Sequence, residues 1–215
     1  MLKEWIDIVL LFLKKSHDVL KKNINGQPIK HAWFSYIFFV TIAVTIVWFL
    51  PEGFSNELVE YATNILSIFV GFFITILVFV DDKIKPTKLP TKEEENLILA
   101  NKRLNQEQKI QIKQENNYAT RFFYTLGLNI LFSTLVLVLL LPNVLWSDTF
   151  SLNISELVPI DHISQLSLNS ILLGVYYWGM LIYRTLVLYF LLKIFFYTTY
   201  ATSSLASVII LKRKI

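Results

Sequence analysis

Asp81-Asp82-Lys83-Ile84-Lys85-Pro86-Thr87-Lys88-Leu89-Pro90 opens a charged stretch that runs on to Arg121 between two apolar halves of the chain. From Thr91 to Arg121 it contains no Gly and no Pro. On either side lie four apolar runs, 32–50, 61–80, 122–141 and 171–192, of 19 to 22 residues each. Each matches the ~20 residues a helix needs to cross a hydrocarbon core of ~30 Å. A soluble helix of that length needs a regular polar face, and these runs have none. The expected fold class is all-α: a polytopic integral membrane protein with four transmembrane helices.

Charge distribution orients it. Six basic residues precede the first run, nine lie in 81–121, and Lys193 with Lys212, Arg213 and Lys214 follow the fourth. The loops 51–60 and 142–170 carry none. By the positive-inside rule both termini and the 81–121 segment are cytoplasmic. That predicts a multi-pass membrane protein with 81–121 and the tail 193–215 as its surfaces for a cytosolic protein partner. The excess of four positive charges is explained by orientation. The segment itself holds seven acidic residues against its nine basic ones, so no direct nucleic-acid binding is expected. A fifth span over 194–211 would put the terminal basic cluster outside, against the same rule.

Along the chain, Leu2, Trp5, Ile6, Val9, Leu10 and Leu13 share one helical face within 1–25. Two readings stand for this N-terminal helix. One is an in-plane interfacial helix on the lipid bilayer. The other is a helix packed on the cytoplasmic end of the bundle. Glu4 and Asp7 argue against a signal peptide.

In the second run Thr63, Ser67, Gly71 and Thr75 step by four, with Asn64 beside them. Such small-residue stripes let helix backbones approach closely. The stripe is either the face of a homo-oligomer or pore, or a packing face against another helix of the same chain. The second reading is preferred on sequence. In the charged segment, Thr91 and Glu94 fit a capping box. They predict a helix from about Lys92 continuing into the third span. Only Leu97 and Leu104 keep heptad spacing there, so no sustained coiled coil is expected. Arg121, Thr125, Asn129 and Ser133 form a second four-step stripe, and Pro142 closes that span.

No catalytic residue, cofactor or metal site is assigned. The chain has no Cys, and His17, His31 and His162 lie in unrelated places. The pointed residue is Arg184, within the fourth span, where a charge costs ~2.5–3.5 kcal/mol on insertion scales. Asn129 and Thr125 are its candidate partners; snorkelling to the inner headgroups or bonding to backbone carbonyls are the alternatives. Arg184, Asn129 and Asn64 are the intramembrane polar candidates.

Size, four spans, cytoplasmic ends and a charged central segment together resemble the membrane subunits of the Kiwa anti-phage defence system, among small membrane proteins of bacterial defence operons. The resemblance implies an oligomeric inner-membrane protein that senses phage at the envelope and works with a cytosolic partner. It transfers no functional residue. The alternative function is a pore-forming effector that depolarises the membrane.

Overall fold

The computed structural model describes residues 1–30, 33–50, 53–83, 105–146 and 168–212. Among these the secondary structure is helical, in five helices: α1 (Leu2–Leu20), α2 (Phe34–Phe49), α3 (Asn56–Lys83), α4 (Gln106–Leu145) and α5 (Leu168–Lys212). Three of them, over Asn56–Phe79, Gln106–Leu145 and Gly174–Leu211, are long and apolar enough to cross a membrane. The first expected span is shorter. α2 has 16 residues, about 24 Å at ~1.5 Å per residue, and His31, Ala32, Pro51 and Glu52 around it lie outside the described residues.

The helix boundaries differ from the sequence reading at three places, each for a local reason. α3 begins at Asn56, not Tyr61, because the Ser55 hydroxyl accepts from the Leu58 amide at 3.2 Å and caps the first turn. Glu57 then sits in that turn, where a helix N-terminus favours negative charge. The helix that enters the third span begins at Gln106, not near Lys92. Asn105 and Gln108 cap it reciprocally: the Gln108 amide donates to Asn105 Oδ1 at 2.8 Å and the Asn105 amide to Gln108 Oε1 at 3.0 Å. The Thr91–Glu94 box falls outside the described residues. α4 also passes Pro142 and ends at Leu145. A proline there forfeits a single bond, to the Val138 carbonyl, in the last turn, where interior packing does not depend on it. α5 runs 45 residues, continuing as one helix through Lys193.

The chain forms two compact units: Met1–Ala32, Phe73–Asn129 and Phe196–Ile215 in one, Trp33–Phe72 and Ile130–Phe195 in the other. In the second unit the core joins Phe54, Val59 and Leu66 to Val136 and Leu140 of α4 and to Val187 and Ile194 of α5. Phe132 stacks on Phe190 at 5.1 Å, and the Tyr183 hydroxyl donates to the Leu139 carbonyl. Moving up α4 thus moves down α5, an antiparallel pair. In the first unit Asn129 Nδ2 donates to Thr198 Oγ1 at 3.2 Å. There too, Phe12 of α1 meets Tyr124 at 5.5 Å.

A three-four series of buried residues runs along α4, Ile112, Glu115, Phe122, Leu126, Asn129, Ser133, Val136, Leu140 and Asn143, with half-buried Ala119 completing it; Arg121, Thr125 and Leu128 widen the buried face at its middle. α5 answers with Met180, Arg184, Val187, Ile194, Tyr197, Ala201, Ser204 and Val208. This is the seam spacing of coiled-coil packing. Its first members reach into the charged segment, where no sustained coiled coil was expected. Glu115 and Ile112 lie in that segment.

Candidate functional site

Three buried polar arrangements stand out, and none is an enzyme-like cluster. Among the described residues no group of His, Asp or Glu could hold a metal ion.

The first is a latch between the turn after α1 and the start of α4. The turn builds itself. Asn23 Oδ1 accepts from the amides of Asn25 and Gln27 at 3.0 and 2.8 Å, the local bond that favours Asn in turns. Gly26 supplies a left-handed residue, φ +82°, which a side chain would strain. The Ile29 amide then closes onto the Lys21 carbonyl at 2.7 Å. Three side chains of α4, at successive turns, grip this structure. Arg121 donates to the Lys22 carbonyl. Asn117 Nδ2 donates to the Ile24 carbonyl at 2.6 Å, and Gln114 Nε2 to Asn25 Oδ1 at 3.4 Å. Two of the three acceptors are backbone carbonyls, so the latch reads the shape of the turn more than its side chains. Above it, Phe12 fills the space left by Gly127, where a Cβ would run into the tip of the ring.

The second is Arg184, 1% exposed and the largest fully buried side chain. It does not meet Asn129 or Thr125. Asn129 is engaged by Thr198, fourteen residues along α5 from Arg184, or about 21 Å of helix. Thr125 Oγ1 donates back to the Arg121 carbonyl at 2.7 Å. Arg184 instead lies against Gly53, in the connector between α2 and α3. A Cβ on Gly53 would fall 2.6 Å from the Arg184 Cζ, and Gly53 has φ +81°. Tyr176 and Tyr183 are within electrostatic reach of the guanidinium. Side chains on a helix lean toward its N-terminus. Arg184 therefore reaches toward the start of α5.

The third was not foreseen. Lys193, expected to mark the membrane surface, is 3% exposed. Its ammonium lies 4.1 Å from the Tyr36 ring centroid, 4.9 Å from Phe39 and 5.6 Å from Tyr189. Aromatic faces attract a cation at such distances, more strongly when water is excluded. Tyr36 and Phe39 come from α2, distant in sequence, so no local pattern announces them. Tyr189, four residues before Lys193 on α5, was the visible half of the signal.

The remaining candidates lie on the surface. Asn64, Ser67 and Gly71 are exposed on α3, as is Thr75; Thr63 is half-buried. A Cβ added to Gly71 would meet nothing within 4 Å. The hydroxyls of Thr63 and Ser67 turn back to the Val59 and Thr63 carbonyls at 2.7 and 2.8 Å. Among the described residues the centre of this stripe is exposed. No family model, no curated protein and no solved structure matches the chain.

Proposed function

We propose that this chain is a multi-pass inner-membrane scaffold that couples the bilayer to a cytosolic protein partner. The carrying observation is α4. It is one unbroken helix of 40 residues, about 60 Å long, or roughly twice the ~30 Å hydrocarbon thickness. Its capped start at Asn105 lies in the charged segment, and its other end lies past the third apolar run. A displacement of the membrane-embedded part is therefore carried as a rigid movement to Gln106. The latch from Gln114, Asn117 and Arg121 fixes the N-terminal turn to the same helix. α2, with Trp33 just before it and Trp48 near its end, supplies the first of four spans by tilting little or locally thinning the bilayer. In the setting its layout resembles, an anti-phage defence system, such a protein senses the envelope and recruits its partner at 81–121 or the C-terminal tail. The uncovered stripe of Ser67, Gly71 and Thr75 supports self-association in lipid, where small residues permit close helix contact.

The test breaks the helix without touching the spans. A Gly-Pro insertion between Lys109 and Ile110 interrupts α4 between its cap and the latch. Membrane insertion and abundance are expected to stay at the parental level, while protection of cells against phage is lost. A variant with the insertion that protects fully overturns the coupling role.

A further inference from the structure

We propose that the first half of α1 is a docking surface for anionic phospholipid at the inner leaflet, separate in role from the second half, which is bound to α4. The division is visible in burial. From Val9 onward the face of Val9, Phe12, Leu13, Ser16 and Leu20 is covered or half-covered. Before it, Trp5, Ile6 and Ile8 are exposed, at 61%, 41% and 66%, and so are Leu10 and Leu11. One amphipathic helix thus offers protein-facing apolar residues at one end and unpartnered ones at the other.

Depth says what covers the exposed end. Phe12 sits against Gly127 and Tyr124, both inside the apolar run 122–141. Arg121, at the edge of that run, holds the Lys22 carbonyl. Between Lys22 and Phe12 the chain therefore passes from the membrane edge to the level of the span's first two turns. The exposed residues before Phe12 are at the bilayer, not out in the cytosol. Charge says which lipid. Lys3, Lys14, Lys15, Lys21 and Lys22 are all exposed, against Glu4, Asp7 and Asp18. Lys14, Lys15, Lys21 and Lys22 cluster beside the packed half. Basic residues at a membrane surface draw anionic headgroups, while Trp and aliphatic residues enter the acyl boundary. The inference rests on the membrane reading of the chain but not on its coupling role.

The chain has no cysteine, so single sites can be spin-labelled in the full-length protein. Ile8→Cys and Leu11→Cys test the surface, and Phe72→Cys, on an exposed position of α3, controls for the span. Each is reconstituted in nanodiscs of phosphatidylcholine alone or with phosphatidylglycerol. Collisions with oxygen and with a water-soluble nickel complex are then compared. All three labels are expected to favour oxygen. Phosphatidylglycerol should shift the two α1 labels severalfold further toward oxygen and leave the control unchanged. Lys14→Gln with Lys15→Gln should remove that shift. An α1 label that favours nickel in both lipids overturns the proposal, as does oxygen preference that ignores phosphatidylglycerol. So does label–label coupling that disappears on dilution with unlabelled chains, which would make a second copy the occupant. A control that favours nickel would instead refute the membrane reading itself.

Discussion

Thr63-Ser67-Gly71-Thr75 on α3 and Arg121-Thr125-Asn129-Ser133 on α4 are the same pattern in sequence, four small or polar residues stepping by four. In the structure they have opposite fates. Ser67, Gly71 and Thr75 are exposed, whereas Thr125, Asn129 and Ser133 are fully buried. The difference lies in what each stripe can reach. Asn129 crosses to Thr198 and Arg121 to the Lys22 carbonyl. On α3 the Thr63 and Ser67 hydroxyls bond back to their own helix, and the stripe from Ser67 to Thr75 is exposed. A period of four marks a face; long polar side chains with remote acceptors mark that face as internal.

The largest effect that would break this comparison comes from one substitution made in both stripes. Ser133→Leu forces a bulky side chain into a position with no exposure and should cost about 1–3 kcal/mol by overpacking. Ser67→Leu, on the open stripe, should change the stability of the monomer by no more than about 0.5 kcal/mol. Unfolding by sodium dodecyl sulfate in mixed micelles measures both. Equal costs would mean that the two stripes are equally enclosed.

A smaller effect separates two glycines. Gly53→Ala meets two obstacles: a left-handed backbone and the Arg184 guanidinium in the space a Cβ needs. A residue with a side chain pays about 1–2 kcal/mol for that conformation alone, and displacing Arg184 adds to it. The expected loss is therefore at least about 1 kcal/mol, read in the same micelle titration. A neutral result would place the guanidinium away from the connector.

How far the sequence disclosed this arrangement depends on whether a feature is local. The long apolar helices followed from run length alone, and three of them stand in the structure. The α4 and α5 seam did not show, because its positions mix Glu115, Asn129, Ser133 and Asn143 with Ile112, Leu126 and Val136. A hydrophobic period cannot reveal a seam whose members are half polar. The burial of Lys193 was not legible, because the rings that cover it lie on α2. The direction of Arg184 was legible in principle. The N-terminal lean of helical side chains points it toward the start of α5 without any structure; that Gly53 lies there is seen only in the fold. The caps at Asn105–Gln108 and Ser55 were also in the sequence, hidden behind a stronger-looking box at Thr91.

Gly71→Ala is the smallest change, and it should move two measurements in opposite directions. Nothing lies within 4 Å of the position a Cβ would take, so alanine meets no steric resistance. Within a helix, alanine is favoured over glycine by about 0.5–1 kcal/mol. The monomer should therefore gain about that much in the micelle titration. If a second copy packs on this stripe, the added methyl pushes the two backbones apart, because close approach is what small residues allow. Self-association in lipid, measured by energy transfer between labelled copies as lipid is added, should then weaken. A monomer gain with unchanged association would place the oligomer contact on another face and leave the stripe open to lipid. A monomer loss would show that α3 is covered after all, and would erase the contrast with α4.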